Sequence, residues 1–345
     1  MSQIRRMFLA ACVIASSSVQ ASPVVSDASS NINFGAKPLM GVNLSGCEFL
    51  TNGALCPTVA SLNDYIDKGF TAFRVPFRGV QAKDPAVVKK LVALARAAAS
   101  RDTYLILDRH DYGETFSPKQ ADWWIDFIKD FPDSEHIMID PMNEPSSGPS
   151  YQPDPVTNKS FATEVNAGIR AFRLAGYKHR LLIEWRGSSG MSRFDKAEKA
   201  SKACISPACS FDRAGGLKDP LGRTMVSGHR YFDKDGSGTS ATCDRSLALT
   251  RMFVSNTDYN AQLRGMKVWV GEIAFGNGKR LDPWCRTVGA GVIDRINSMP
   301  EVYAGVTWWG GGSGWKEDYL YKIEPTKGTF KTAVSSEYLK MLAGK

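Results

Sequence analysis

Short apolar runs alternate with helix-period segments about eight times along this chain of 345 residues. The runs at 39–44, 70–77, 104–109, 136–141, 180–185, 224–231, 267–274 and 304–309 are rich in β-branched or aromatic residues, as strands buried on both faces are. Between them, 87–99 carries apolar residues at helical spacing with Lys and Arg interleaved, and 120–131, 161–175, 247–263 and 288–299 repeat the pattern. A strand–helix unit repeated in this order predicts an α/β chain whose parallel sheet closes into a (β/α)8 TIM barrel. An open doubly wound sheet is the competing solution, but it usually carries a glycine-rich phosphate turn after its first strand, and none stands here. The segment 187–223, with two cysteines and a Gly-Gly pair, fits the alternation least and predicts a long loop with a short helix. No repeat, second domain or binding-module linker is visible.

The N-terminus reads as an export signal. Arg5 and Arg6 precede an apolar run from Met7, and Val19-Gln20-Ala21 has the small residues of a cleavage site. Residues 1–21 are therefore expected to be removed, 22–37 to form a flexible lead-in rich in Ser, Ala and Asn, and 38–345 to form one barrel domain. The apolar run is too short to span a membrane, and no later one is longer, so a secreted or periplasmic protein without a membrane anchor is expected. Sec and twin-arginine export both remain open. Cys47, Cys56, Cys204, Cys209, Cys243 and Cys285 remain after Cys12 leaves with the signal. Six cysteines in an oxidising compartment point to disulfides, with fifteen possible pairings. Loop length favours Cys47–Cys56 and Cys204–Cys209, leaving Cys243–Cys285. None shows the paired spacing of a zinc site, and no metal is expected. The net charge of +8 is scattered without a basic run, which argues against nucleic acid and leaves an acidic polysaccharide open as a partner.

In a barrel of this kind, chemistry sits where strands end at the C-terminal face. Those ends bring up Arg74, His110, Asn143 and Glu144, His229 and Tyr231, Glu272, and Trp309. Glu144 follows an apolar strand and precedes Pro145, which favours an extended backbone at Glu144. Glu272 also ends an apolar run. Two such carboxylates suit glycoside hydrolysis: one must be protonated to give its proton to the leaving oxygen, while the other must be ionised to attack the sugar C1. Arg74 beside Glu272 would keep it charged, and Tyr231 could donate to the same carboxylate. Trp123 and Trp124 lie in a helical pattern and are expected to pack in the core, as are Trp269 and Trp308 against helices. Trp315 could be a second sugar platform.

At this point a family resemblance becomes specific. The motifs are Gly41-Val-Asn-Leu-Ser-Gly46, Phe73-Arg-Val-Pro-Phe77, Ile106-Leu-Asp-Arg-His-Asp-Tyr-Gly113, Asn143-Glu-Pro145, His229-Arg-Tyr231, Gly271-Glu272 and Trp309. In this order and spacing the chain resembles glycoside hydrolase family 5, and within it the endo-β-1,4-glucanase (cellulase) branch. The resemblance implies a retaining, cofactor-free enzyme with Glu144 as acid/base and Glu272 as nucleophile. It further implies that Asn143 holds the sugar 2-hydroxyl, Arg74 and Tyr231 orient Glu272, His110 and His229 line the cleaving subsite, and Trp309 stacks on a pyranose ring. The expected partner is a β-glucan, with the protein a monomer. Two departures, Glu184-Trp-Arg-Gly-Ser-Ser189 after the fifth strand and Asp111 after His110, leave the polysaccharide open. Mannan, xyloglucan or a bacterial heteropolysaccharide would use the same chemistry. A non-catalytic carbohydrate-binding barrel is the reading from another class.

Overall fold

The computed structural model describes residues 26–132, 135–146, 155–195, 204, 206–245, 255–277, 282–312, 314–324 and 341, with side chains from 160 in the fourth helix and from 257 in the sixth. The expected export signal and the first turns of the helix expected at 247–263 lie outside them. Eight parallel strands close into a barrel in chain order. They are β1 (Leu39–Leu44), β2 (Ala72–Phe77), β3 (Tyr104–Arg109), β4 (Ile137–Asp140), β5 (Arg180–Ile183), β6 (Thr224–Tyr231), β7 (Val268–Ala274) and β8 (Tyr303–Gly311), with β1 paired to β8. The strand expectations hold to within two residues at each end.

Seven α-helices are described: α1 (Val59–Asp67), α2 (Pro85–Ser100), α3 (Pro118–Ile128), α4 (Pro155–Leu174), α5 (Pro207–Arg213), α6 (Ser255–Leu263) and α7 (Pro283–Ser298). Apolar periodicity alone set several starts too late, because capping decides them. Asp84, Ser117, Ser206 and Asp282 each stand before a proline and accept backbone N–H bonds from the first turn of α2, α3, α5 and α7. The proline there has no N–H to leave orphaned and has its φ already set. Helix α1 was not anticipated; Thr58 caps it, and only Leu62 and Tyr65 are buried from it. None of the described helices is long and apolar enough to cross a membrane.

The core divides in two. One part lies between strands and helices and includes Leu91, Trp124, Ile169 and Phe211. The other fills the lower half of the lumen with Leu39, Ala72, Ile106, Met138, Leu182, Met225 and Trp269. Trp269 was expected to pack against helices. It points inward instead, and a Cβ on Gly305 would lie only 2.3 Å from its ring. The glycine opposite makes room for an indole that fills the lumen. Trp308 faces outward as expected, edge-on to Phe275. From residue 26 onward, the segment read as a flexible lead-in helps to close this floor. Ser29 Oγ donates to the Thr224 carbonyl at 2.7 Å, Asn31 Nδ2 donates to the Leu221 carbonyl at 2.8 Å, and Ile32 is buried in the lumen cluster. The three disulfides are Cys47–Cys56, Cys204–Cys209 and Cys243–Cys285, the pairing that loop length favours.

Candidate active site

Side chains alternate along a strand, so two residues beyond each floor position the next inward side chain reaches the upper lumen. Arg74 arises this way from Ala72, Asp108 from Ile106, Asp140 from Met138, Glu184 from Leu182, and Ser227 then His229 from Met225. Arg74 is fully buried at their centre. Its Nε donates to Asp140 Oδ2 at 2.9 Å, and Nη1 donates to Asn43 Oδ1 at 3.0 Å and to Glu272 Oε1 at 3.2 Å. Nη2 donates to Asn143 Oδ1 at 2.7 Å and to Glu184 Oε1 at 3.1 Å, and lies 3.1 Å from Asp108 Oδ2. Burial opposes the guanidinium charge, but the four carboxylates outweigh it and hold the pKa well above the ordinary value.

Glu272 reaches the mouth through a defect in strand alternation. Trp269 and Gly271 face inward, so strict period two would turn Glu272 out. The register between β7 and its neighbours shifts here: Gly228 pairs with Val270 but His229 with Glu272, and Val306 with Val270 but Trp308 with Ile273. This bulge re-aims Glu272 into the lumen and sends Ile273 to the outer core. The Gly271 carbonyl at the bulge is satisfied by Asn43 Nδ2 at 2.9 Å and Thr307 Oγ1 at 2.6 Å. A side chain at 271 would press on Ser227 and His229. Tyr231 Oη then donates to Glu272 Oε2 at 2.6 Å, opposite the Arg74 contact.

Glu144 is held from another direction. Its backbone is not extended as Pro145 suggested, because φ is +40°. The N–H freed by this turn donates to Glu184 Oε2 at 2.7 Å. A buried, charge-assisted hydrogen bond offsets the strain that the left-handed region imposes on a non-glycine residue. His229 links the two carboxylates: Nδ1 lies 3.0 Å from Glu144 Oε1 and 3.6 Å from Glu272 Oε2, and Nε2 lies 2.9 Å from Glu184 Oε1. Burial disfavours its charge, but Glu184 and Glu272 prevail and hold its pKa well above the ordinary value. Glu184 is the complement. Burial would raise it, but His229 and Arg74 bring it down to about 2. Burial and the nearby Glu184 push Asp140 well above the carboxylate range.

Oxygens of Glu144 and Glu272 and a ring nitrogen of His229 all lie within 4.8 Å of one another. The other wall is aromatic. His110 accepts charge from the same logic: burial opposes it, Asp108 at 2.7 Å from Nδ1 outweighs this, and the pKa rises. Its Nε2 meets Tyr112 Oη at 2.9 Å, and its ring stacks on Trp309 with planes 13° apart. Trp315 touches Trp309 edge-on and spends one face on Tyr319, with ring centroids 3.9 Å apart.

All eight side chains singled out from the sequence, Arg74, His110, Asn143, Glu144, His229, Tyr231, Glu272 and Trp309, meet at this mouth. Asn43, Asp108, Asp140 and Glu184 were missed as members of it. Inward parity with the floor residues was the signal that would have found the last three.

A closed (β/α)8 barrel that opposes two carboxylates across its C-terminal mouth is the arrangement that glycoside hydrolases use. The family model for cellulase, glycosyl hydrolase family 5, matches residues 33–312, and the chain belongs to that family. It is similar to a probable endo-beta-1,4-glucanase B of Aspergillus oryzae, 26% identical with 86% of this chain and 87% of the relative covered. The endo-beta-1,4-glucanase B of Emericella nidulans is 25% identical, with 88% and 86% covered. Among solved structures, an endo-beta-1,4-glucanase from Xanthomonas axonopodis pv. citri superposes with a TM-score of 0.73 at 21% identity, covering 89% of this chain and 98% of that one. XacCel5A, solved in complex with cellopentaose, has a TM-score of 0.73 at 24% identity, covering 90% and 99%.

Proposed function

We propose that this glycoside hydrolase is a secreted, monomeric, retaining endo-β-1,4-glucanase, with a single catalytic domain behind an export signal at 1–21. The observation that carries the reading is the convergence of Glu144 and Glu272 oxygens within 4.8 Å. Retaining sites hold their carboxyl groups about 5–5.5 Å apart, whereas inverting ones need about 6.5–9.5 Å to admit a water. The curated relatives named as endo-β-1,4-glucanases and the cellopentaose complex of a structural neighbour support a β-glucan substrate.

In the first step an oxygen of Glu272 attacks C1 while Glu144 gives its proton to the departing glycosidic oxygen. One C–O bond forms, one breaks, and a covalent glycosyl-enzyme results. Glu144, now anionic, then takes a proton from water, which attacks C1 and releases Glu272. Arg74 and Tyr231 hold the Glu272 oxygens and stabilise its charge. The Asn143 amide has Oδ1 fixed by Arg74 while Nδ2 is buried without a partner, ready for the sugar 2-hydroxyl. Trp309, with His110 against it, would stack on a pyranose ring.

Glu144→Gln and Glu272→Gln should each lower kcat on soluble β-1,4-glucan by about 10⁴-fold or more, measured by reducing-end release. Proton NMR of the first product should show the β anomer. Wild-type turnover in Glu272→Gln, or an α product, would refute the assignment.

A further inference from the structure

A cavity of about 460 Å³ opens on the Glu144 side of the mouth, bordered by Glu144, Ser188, Arg193, Arg230, Asp235 and Ser237 among others. Neither Glu272 nor the aromatic wall of His110 and Trp309 lines it. On the reading above, Glu144 protonates the leaving oxygen, so the sugar beyond the scissile bond lies on this side. The cavity has the size of a small-ligand pocket.

Its charge is unusual for a surface meeting a neutral glucan. Arg230 makes no hydrogen bond or ion pair with any described residue, and its Nε is buried without a partner. Its guanidinium lies over the Phe232 ring, 5.1 Å from the centroid. Asp233 and Asp244 are near enough to favour its charge, yet burial dominates and brings the pKa below the ordinary value. The Asp233 carboxylate is already engaged by the N–H groups of Gly238, Thr239 and Ser240 and by Ser237 Oγ. Asp235 stands exposed on the outer lip, its Oδ1 bonded by the Ser237 N–H. A half-desolvated guanidinium on a residue lining this cavity, bonded to no described residue, is poised for a planar anion, since its fork matches a carboxylate.

We propose that this cavity is a leaving-group subsite for a sugar carrying a carboxylate, a uronic acid unit of a β-linked glucan, with Arg230 as its anion partner. The inference rests on the glucanase reading and names the class of polymer that site prefers. The chemistry is compatible with an anionic leaving group. Once Glu144 has given its proton to the leaving oxygen, its negative charge and that of the uronate favour departure.

The test uses β-1,4-glucan oligosaccharides regioselectively oxidised at C6 to glucuronate, and the same material after reduction of the carboxyl groups back to neutral glucose. Wild-type enzyme should show the higher kcat/KM on the oxidised form, with glucuronate at or next to the new non-reducing end of the leaving fragment by mass spectrometry. Arg230→Gln should cut the oxidised-to-reduced ratio by about 10- to 100-fold, and Arg230→Lys by less. Equal kcat/KM on both forms, or an unchanged ratio in Arg230→Gln, overturns the inference while leaving the glucanase reading intact. If neither form is cut, that reading fails. Calorimetric titration of Glu272→Gln protein with the oxidised oligosaccharide still decides the subsite, because binding that Arg230→Gln does not weaken refutes it.

Discussion

The lower and upper halves of the barrel lumen are built by the same eight strands, two residues apart, and obey different physics. The floor is a jigsaw of Leu, Ile, Met and one Trp with no polar demand beyond the indole N–H, which Thr307 Oγ1 receives at 3.2 Å. The mouth is a desolvated ionic network in which Arg74 alone faces four carboxylates. Hydrophobic filling rewards volume and is indifferent to protonation. The network holds only while each charge keeps its partner, because removing one leaves the others buried and uncompensated. The floor can therefore be spent on stability, while the mouth fixes carboxylates in unlike environments, the condition for acid and nucleophile to coexist.

The largest break in this contrast is Arg74→Met. Stability should fall by about 3–5 kcal/mol, and kcat by about 10²- to 10³-fold, read by denaturant unfolding and turnover together. A variant that unfolds more easily yet turns over normally would show the network to be scaffolding alone. Trp269→Ala should cost about 3–5 kcal/mol as well, with the folded fraction keeping a kcat near wild type. Collapse of kcat there would mean that floor and mouth are not separable.

A smaller effect, in pH, sharpens the division. Glu184 is lowered in the folded protein from 4.5 to about 2, so its contribution to stability is present above pH 4.5 and lost as pH falls toward about 2. His229 is raised above 6.5, so its contribution is present below pH 6.5 and lost as pH rises through the folded value. Glu184→Gln should flatten the acid limb of a plot of urea midpoint against pH, whereas Trp269→Ala should displace the whole curve in parallel. Parallel curves for both would remove the electrostatic account of the mouth.

Much of this was readable before any fold was seen. Eight buried strands and the residues at their tips follow from period and position, because a β-strand fixes direction by counting. Asp108, Asp140 and Glu184 obey the same parity but were passed over, since a lone acid in a strand carries no mark of the cation it will meet. Ile32 was hidden by the Ser and Asn around it, and only docking against the barrel shows that this segment closes the floor.

The chain's own order of residues determined the barrel, the family and the eight side chains at its mouth, because local periodicity and strand ends are properties of neighbours in sequence. The fold alone decided how those groups face each other. The bulge at Gly271 turns Glu272 inward, the positive φ of Glu144 is held by Glu184 from the next strand, and Trp269 enters the lumen because Gly305 lies opposite. Each depends on a partner tens of residues away, and no local rule carries the energy of a contact that has yet to form.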